Sequence, residues 1–458
     1  MDIVITRPKY YTHLITPPLG MAYVTAYLRQ NNLKVHLIDA LKENLDNHEL
    51  VLRCDIADIV GIFCMSDYFW DVVDLVKKLK AAGKTVIIGG PHATVMPQET
   101  LQYTEADYCV VGEGEKTMLE LVLALKNKRD PTNIPGLYSR VTGEFVTRPF
   151  FDNLDEIPFP AWDTIDPRTY PLAPHGAVVK TFPVAPVITS RGCPFSCHFC
   201  ASPKIWNHQI RYRCAENVVD EIELLIKKYG VKEIHFEDDN LTLNKSHIQA
   251  ICEEILDRNI KVHWATPNGI RADTVSEELL KLMKKSGCYS VAFGIESGSQ
   301  EILNKIGKQT ELKVMYSAIR MAAKAGLITQ AFIIFGLPGE TVATIKKTIN
   351  MVLSLPLHKA QFLLLDVLPG SQLWDSLNQQ DMEYFKKRSY QEPGYVPDGL
   401  TADYLIKVRA GAFRRFHLRP RQMYTILKML KIKQVKLMIQ RIVDFSMFGL
   451  SHKNFSNP

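Results

Sequence analysis

Short runs of β-branched and other apolar residues alternate with longer amphipathic stretches over residues 1–127. The runs predict five strands, and the amphipathic stretches predict helices between them. Because alternating strands and helices form a parallel sheet covered on both faces, we expect an α/β domain with a doubly wound parallel sheet in flavodoxin-like order. The predicted strands are Ile3–Thr6, Val35–Asp39, Ile59–Cys64, Thr85–Gly89 and Asp107–Val111, and the predicted helices include Leu19–Leu28, Phe69–Ala82 and Glu115–Leu125.

A second series of strand–helix units covers residues 187–370. Six units are too few for a complete eight-stranded barrel, which typically takes ~250 residues. This region is therefore predicted to be an open, partial (β/α)6 barrel. Its predicted strands are Val187–Ser190, Glu233–Phe236, His263–Thr266, Ser290–Ile295, Thr329–Phe335 and Gln361–Asp366.

Two regions depart from the strand–helix pattern. Eight of the chain's 25 prolines fall between residues 149 and 186, so residues 128–186 are predicted to be a linker that packs across both domains. Residues 371–458 are predicted to be a helical C-terminal extension, with two helices that separate near Pro420. Residues 404–443 contain no acidic residue and many basic ones. This segment is predicted either to contact an anionic membrane as a basic amphipathic helix or to pack on the barrel with its basic face exposed.

The composition is typical of a globular protein, with 46% hydrophobic and 23% charged residues. The net charge of +6 does not call for nucleic acid, and no such partner is expected. No apolar run approaches the ~18 residues of a spanning helix, and an N-terminus with Asp2 before a strand pattern is unlike a signal peptide. Nine irregularly spaced cysteines indicate reduced thiols and metal binding. We expect a cytoplasmic protein, with the inner face of the membrane as a second location.

Three of the cysteines lie in the segment Arg191-Gly-Cys-Pro-Phe-Ser-Cys-His-Phe-Cys200, after the first predicted barrel strand. Cys193, Cys197 and Cys200 can converge on one metal site, and three ligands to a cubane cluster leave one iron open to a substrate. Barrel active sites lie at the carboxyl ends of the strands, where this segment falls. The alternative is a zinc site with His198 or a remote cysteine as the fourth ligand.

The CxxxCxxC motif at the start of a partial barrel resembles the radical S-adenosylmethionine superfamily. The resemblance implies a [4Fe–4S] cluster whose open iron binds S-adenosylmethionine. It also implies that one electron from an external reductant cleaves this cofactor to methionine and a 5′-deoxyadenosyl radical. Residues at successive strand ends resemble the superfamily's contacts to the ammonium, ribose, carboxylate and adenine groups, although each alone also fits a helix cap or a turn. These residues are Phe199, Glu237, Asp238, Asp239, Asn268, Arg271, Glu296, Ser297, Gly336, Pro338 and Gly339.

Glycine-rich loops follow several strands of the N-terminal domain. Together they resemble the cobalamin (B12)-binding domain that precedes the barrel in the B12-dependent branch of the superfamily. The chain lacks a DxHxxG motif, so the resemblance implies cobalt without a histidine on its lower face, and His92 is expected to be a loop residue. The alternative is a domain that no longer holds cobalamin. The residues assigned to cobalamin are Pro18, Leu19, Gly20, Met65, Ser66, Gly89, Gly90, Pro91, His92, Thr94, Gly112, Glu113, Gly114 and Glu115.

The resemblance implies an enzyme that functionalises an unactivated carbon of a small-molecule or lipid-like substrate, and C-methylation is the preferred reaction. Radical cyclisation or ring rearrangement without methyl transfer is the first alternative. A methylthiotransferase with a second cluster on Cys54, Cys64 and Cys109 is another, although their apolar surroundings favour buried structural cysteines. A non-catalytic iron–sulfur sensor is the alternative from a different class. The sequence identifies no catalytic acid or base.

Overall fold

The computed structural model describes residues 1–12, 14–140, 143, 145–172, 179–376, 392–432 and 434–435. Its N-terminal half contains a six-stranded sheet in the order β2-β1-β3-β4-β5-β6, in which only β6 is antiparallel to its neighbour. The predicted parallel sheet and its flavodoxin-like order are confirmed. The strands are β1 Ile3–Arg7, β2 Val35–Asp39, β3 Ile59–Phe63, β4 Thr85–Gly89, β5 Tyr108–Val110 and β6 Leu137–Ser139.

Helices cover both faces of this sheet because their apolar residues recur at helical spacing. Phe69, Val72, Leu75, Val76 and Leu79 are all buried on one face of the fourth helix. The helices are α1 Leu19–Gln30, α2 Ala40–Glu43, α3 Asn47–Arg53, α4 Phe69–Ala81, α5 Pro91–Val95, α6 Pro97–Tyr103 and α7 Gly114–Lys126.

The second half is built on a parallel sheet of six strands in the order β14-β13-β12-β11-β10-β7, as expected for a partial barrel. A two-stranded antiparallel ribbon, β8 with β9, lies just before and after the cysteine motif. The strands are β7 Val184–Val187, β8 Ser190–Gly192, β9 Ile210–Tyr212, β10 Glu233–Phe236, β11 His263–Ile270, β12 Cys288–Glu296, β13 Ile328–Phe335 and β14 Lys359–Leu364. The helices are α8 Ser202–Trp206, α9 Ala215–Tyr229, α10 Lys245–Asp257, α11 Glu277–Lys285, α12 Gln300–Lys305, α13 Leu312–Lys324 and α14 Val342–Ser354.

The first barrel strand, β7, ends three residues earlier than the sequence predicts. Thr189 and Ser190 leave the strand because both hydroxyl groups donate hydrogen bonds to the buried Asp238, over 2.8 and 2.5 Å. Pro186 is tolerated within β7 because this strand is at the edge of its sheet. The cysteine motif therefore follows β8 and not the barrel strand itself.

Residues predicted as a linker contact both halves of the molecule. Tyr170 donates a hydrogen bond to Asp39 at the end of β2, over 2.8 Å. Trp162 donates one to Glu221 of α9, over 2.9 Å. The residues predicted as a linker also contribute β6 to the first sheet, a short strand that the sequence did not predict.

The C-terminal residues that the structure describes are helical. The helices are α15 Gln372–Ser376, α16 Ala402–His417 and α17 Pro420–Met429, so the predicted break near Pro420 is confirmed. Phe416 of α16 is buried against Phe362 of β14. Gln422 and Arg419 tie the start of α17 to the carbonyl groups of Leu357 and Leu353. Within the described ranges, no helix has the length and apolar character needed to cross a membrane. The predicted basic segment extends past residue 435 and there lies outside the described residues.

Candidate active site between the two domains

The three cysteines lie together in the loop between β8 and α8. The loop is shaped by its own backbone, because the amide of Cys200 donates to the carbonyl of Cys197 over 3.0 Å. His198 anchors the loop on both sides: its amide donates to Ile306, and its carbonyl accepts from Leu373. Its ring lies against Gly307, where a Cβ would come within 2.7 Å of it. Ile306 and Gly307, which follow α12, therefore contact the cysteine loop and support it.

Burial opposes free thiolate at the cysteines, whereas two nearby cations favour it at Cys197. Burial raises the pKa of the Cys200 thiol to about 12, while the amide of Ser202 lies 3.4 Å from its sulfur. Burial also raises the pKa of Cys197, and the positive charges of Lys308 and Arg271 act against that rise. Metal must therefore displace protons here, and the two cations would stabilise the resulting negative charge.

The donor set fits a cluster with three protein ligands. Within the described part of the chain, no three His, Cys, Asp or Glu side chains are placed to bind a single metal ion. In a cubane each thiolate binds a different iron, so three separated sulfurs in one loop suit it. Cys193, Cys197 and Cys200 are all partly exposed and free of disulfides.

The acidic triplet after β10 is divided between two environments. Asp238 is buried and holds the amide and hydroxyl of Thr189 and the hydroxyl of Ser190. Glu237 and Asp239 instead face the open cavity between the domains. Asp239 also accepts a hydrogen bond from Ser202 in the turn after Cys200. Glu237 and Asp239 are therefore the two members of the triplet that line the cavity.

Arg271 and Glu296 end neighbouring strands and point toward the cysteine loop. The Arg271 guanidinium lies 3.6 Å from the ring centre of Phe195, which is inside the motif. It is held by Asp273 and Thr310, while its Nη1 is buried and has no hydrogen-bond partner among the described residues. Glu296 accepts from Lys308 over 2.8 Å, and both side chains are buried. Glu296 adopts a positive φ of 62°, an unusual conformation for a residue with a side chain.

The remaining residues assigned to S-adenosylmethionine occupy varied positions. Ser297 is buried and faces Thr348 of α14, and Asn268 is exposed and donates to the carbonyl of Glu237. Phe199 is half-buried against the core. After β13, Glu340 accepts hydrogen bonds from the amides of Gly336 and Leu337, which fixes the turn. Pro338 and Gly339 complete that turn, and a Cβ at Gly339 would lie 2.7 Å from the ammonium nitrogen of Lys305.

A cavity opens between the glycine loops of the first domain and the strand ends of the barrel. The wall formed by the first domain consists of glycine backbone and small side chains. The cavity extends inward to Ile62 and Met118. A Cβ at Gly114 would contact Val24, Val110 and Met118 at 3.4–4.0 Å, so the missing side chain leaves usable space. A cavity with exposed glycine backbone along its wall and apolar side chains at its inner end fits a large flat ligand such as cobalamin. The assigned residues that line it are Gly20, Gly89, Gly90, Pro91, Thr94, Gly112, Glu113, Gly114 and Glu115.

Several other residues assigned to cobalamin are directed elsewhere. His92 is fully buried against Phe69, and its Nδ1 lies 2.9 Å from the hydroxyl of Ser66. Burial lowers the pKa of His92 to about 3, so the ring is neutral. Leu19 is buried at the start of α1, Pro18 precedes that helix, and Met65 is exposed before α4.

The second-cluster alternative depends on three cysteines of the first domain. Cys64 and Cys109 are fully buried near each other, and their thiols donate to the carbonyls of Met65 and Ala93. Cys54 is buried at the end of α3, where Lys84 is its charged neighbour. Burial raises the pKa of all three thiols. They behave as structural cysteines.

Several residues that shape the cavity are not among those predicted from the sequence. Arg191, Tyr23 and Trp206 line it, and Lys308 lies beside the cysteine loop. Arg191 immediately precedes Gly192 and Cys193, and a charged residue beside a buried strand is a usable signal. Tyr23, Trp206 and Lys308 carry no comparable signal, because only the folded chain brings them to the site.

Comparison with known proteins agrees with this arrangement. Residues 187–352 match the radical SAM superfamily, and residues 11–122 match the B12 binding domain. An uncharacterized methyltransferase of Pyrococcus horikoshii is 34% identical over 88% of each chain. The anaerobic magnesium-protoporphyrin IX monomethyl ester cyclase of Rubrivivax gelatinosus is 28% identical over 91% of this chain and 78% of its own.

The fold is also that of a solved structure. The radical S-adenosylmethionine methyltransferase TsrM from Kitasatospora setae, solved with cobalamin and a [4Fe–4S] cluster, has a TM-score of 0.70 at 18% identity. The match covers 95% of this chain and 90% of TsrM. The domain pair, the cysteine loop and the similarity along most of the chain agree, and the protein belongs to the radical S-adenosylmethionine enzymes that carry an N-terminal B12-binding domain.

Proposed function

We propose that this enzyme methylates an unactivated carbon of a small molecule in the cavity between its two domains. The observation that carries the proposal is that the glycine loops of the first domain and Glu237 and Asp239 of the barrel line one and the same cavity. When bound, the cluster and S-adenosylmethionine supply a radical that removes hydrogen, and cobalamin supplies the methyl group. The protein's own contribution is to hold these groups close together and to exclude water.

We assign the cluster to Cys193, Cys197 and Cys200, and the binding of S-adenosylmethionine to the charged groups around them. Glu237 and Asp239 would accept hydrogen bonds from its ammonium group, because their carboxylates face the cavity. Arg271 would bind its carboxylate, because one buried nitrogen of the guanidinium still lacks a partner among the described residues. Lys308 adds positive charge on the same side. Gly336, Pro338 and Gly339 would offer backbone to the adenine.

The cobalamin site is assigned to the glycine loops and not to a histidine. Gly89, Gly112 and Gly114 give the ligand close access to backbone, and Ile62 and Met118 form the apolar depth of the slot. His92 is fully buried against Phe69 and is not among the residues that line the cavity, so we do not assign it to cobalt. The domain limits that go with this assignment are residues 1–127, 128–186, 187–370 and 371–458.

The substrate is proposed to be a small molecule, as it is for relatives that act on a porphyrin ester or, in TsrM, on tryptophan. An external one-electron reductant is required, because the cluster chemistry consumes an electron. Nucleic acid is not proposed as a partner.

The decisive experiment uses anaerobic, cluster-reconstituted protein with hydroxocobalamin, a reductant, and S-adenosylmethionine whose methyl group is trideuterated. A small-molecule extract is added, and products are examined by mass spectrometry. Transfer of the labelled methyl group together with 5′-deoxyadenosine is the expected result. Formation of 5′-deoxyadenosine without label in any product would favour cyclisation or ring rearrangement. Tightly held zinc in protein prepared without oxygen would contradict the cluster itself.

A membrane contact is proposed for α17. Met423, Tyr424 and Leu427 form an exposed apolar stripe, and Arg421 and Lys428 flank it. Such a helix binds an anionic bilayer through both its apolar area and its charge. Co-sedimentation with vesicles of phosphatidylglycerol and phosphatidylcholine should capture the protein, and vesicles of phosphatidylcholine alone should not. The Leu427→Glu variant should stay in the supernatant; equal binding of this variant would exclude α17 as the contact.

A further inference from the structure

Buried ion pairs join the first domain's glycine loop at 111–115 to the ribbon that leads into the cysteine motif. Arg191 of β8 donates one hydrogen bond to Glu113 over 2.7 Å and another to Glu115 over 2.8 Å. Arg211 of β9 donates to the second oxygen of Glu113 over 2.8 Å. The two arginine side chains are 11% exposed and the two glutamates 4%. These bonds cross between the two domains at the edge of the shared cavity.

The guanidinium of Arg191 has little freedom in this position. It lies over the ring of Tyr23, 5.1 Å from the ring centre, and Tyr23 belongs to α1 of the first domain. Its two terminal nitrogens bind two different carboxylates, a forked arrangement that fixes both distance and angle. Because the groups are buried, water cannot replace these bonds when one partner moves.

The backbone connects Arg191 closely to Cys193, the first of the proposed cluster ligands. Only Gly192 separates Arg191 from Cys193, and its φ of 105° suits glycine. A Cβ at Gly192 would lie 2.0 Å from the carbonyl oxygen of Gln209, so the ribbon is tightly packed there. A displacement of Arg191 must therefore move Cys193 and the cysteine loop with it.

We propose that Arg191 is a positioning residue that couples the cobalamin loop to the cluster loop. Occupation of the barrel site by S-adenosylmethionine then changes the affinity of the first domain for cobalamin, through the pairs with Glu113 and Glu115. The inference rests on the proposed function, since it needs both cofactors to bind. It gives Glu113 and Glu115 a role in joining the domains, because Arg191 and Arg211 already occupy oxygens of both carboxylates.

The test measures coupling and not turnover. Cluster-reconstituted protein is titrated with hydroxocobalamin by absorbance, without reductant, in the presence and absence of saturating S-adenosylmethionine. The wild-type dissociation constants should differ by about fivefold or more, in the range usual for coupled sites. In Arg191→Met the ratio should fall to near one while the cluster absorbance is retained. Glu115→Gln removes one of the two charge pairs and should give an intermediate ratio.

A matched variant separates coupling from general damage. Arg148 has a similarly buried side chain, 13% exposed, and pairs with Glu120 and Thr117 of α7 within the first half of the molecule. Arg148→Met should keep the wild-type ratio. If Arg191→Met fails to fold, the ratio of dissociation constants measured for Glu115→Gln tests the proposal instead. A wild-type ratio of one, or an unchanged ratio in the folded Arg191 or Glu115 variants, would overturn the coupling but leave methyl transfer intact. Failure of the wild type to bind cobalamin would overturn both proposals.

Discussion

The two walls of the cavity present chemically different surfaces to a ligand. The first domain presents glycine backbone and apolar side chains, and its two loop carboxylates are occupied by arginines. The barrel presents charged side chains, of which Glu237 and Asp239 open to the cavity. We therefore expect the first wall to select by shape and the barrel wall to select by charge. A carboxylate at a strand end can meet a ligand only where it lines the cavity, as Glu237 and Asp239 do and the buried Asp238 does not.

The largest effect is expected on the charged wall. Changing Cys193, Cys197 and Cys200 together to Ala should abolish the broad visible absorption near ~400 nm that is typical of iron–sulfur clusters. Formation of 5′-deoxyadenosine should stop with it. Hydroxocobalamin binding should remain measurable, because the first wall is untouched.

The control is Cys214→Ala, which removes an exposed cysteine at the start of α9 and should retain iron. Iron retained by the triple variant would assign the cluster to other cysteines.

The shape-selective wall of the first domain is tested by adding a side chain that fills part of the cavity beside it. Gly114→Leu should place a side chain among Val24, Val110 and Met118, in the space proposed for cobalamin. We expect hydroxocobalamin binding to fall by more than about a hundredfold, since a blocked slot loses most of its contact area. The cluster spectrum should be unchanged.

Gly114→Ala is the matched control, because a Cβ at this position makes ordinary contacts of 3.4 Å or more. Gly90 is a poorer target than Gly114: a Cβ there would lie 2.8 Å from the carbonyl of Cys64 and disturb the loop itself. Normal cobalamin uptake by Gly114→Leu would place the ligand elsewhere.

The fold could be predicted from the sequence because its signals are periodic and repeated. Both sheets and the break near Pro420 follow from apolar spacing and proline. The three-residue strands β6, β8 and β9 could not be recognised, because each contains a polar or charged residue and forms no apolar run, whereas the equally short β5 is apolar throughout. The end of β7 was placed too late because the bonds from Thr189 and Ser190 to Asp238 are formed between distant positions.

The site could be predicted only in part, for a related reason. Motif position predicts Cys193 and Asp239 close together at the carboxyl end of the barrel; in the structure Asp239 lines the cavity there, and its charge acts on the nearby Cys193 thiol. Sequence cannot tell a carboxylate that lines the cavity from one that is buried, so Asp238 and Asp239 look alike in it. The pairing of Glu113 with two arginines likewise depends on residues 78 and 98 positions away.

Variants of the adjacent residues Asp238 and Asp239 should have smaller effects, one on stability and the other on cofactor binding. Asp239→Asn should weaken S-adenosylmethionine binding by roughly 1.5–3 kcal/mol, about tenfold to more than a hundredfold, through loss of a charge-assisted hydrogen bond. Asp238→Ala should instead lower the unfolding free energy by roughly 1–3 kcal/mol, because the buried groups of Thr189 and Ser190 lose their acceptor.

Equilibrium binding and thermal unfolding of the two variants separate these effects. If Asp239→Asn binds the cofactor normally, the ammonium contact belongs to another group, and Glu237→Gln is the next variant to examine.

The smallest effect on ligand binding is expected at Glu340, a barrel carboxylate between the two extremes. One of its oxygens accepts from Gly336 and Leu337, while the other is buried with no partner among the described residues. Burial raises its pKa from an ordinary 4.5 to about 7. A carboxyl pKa that is higher in the folded state means that the folded protein binds more protons, so its stability falls as pH rises from about 4.5 to 7 and then levels off.

Glu340→Gln keeps an acceptor for the two amides but carries no charge, and it should lack this pH-dependent loss. The unfolding midpoint of the variant apoprotein should therefore rise relative to wild type between pH 5 and pH 8, with each unit of pKa difference worth about 1.4 kcal/mol. Glu340→Ala, which leaves both amides without an acceptor, should be less stable than Glu340→Gln at either pH. If the wild type and Glu340→Gln differ by the same amount at both pH values, the Glu340 carboxyl titrates near its ordinary pKa. The unpaired oxygen would then be solvated, and Glu340 would belong with the open carboxylates of the barrel.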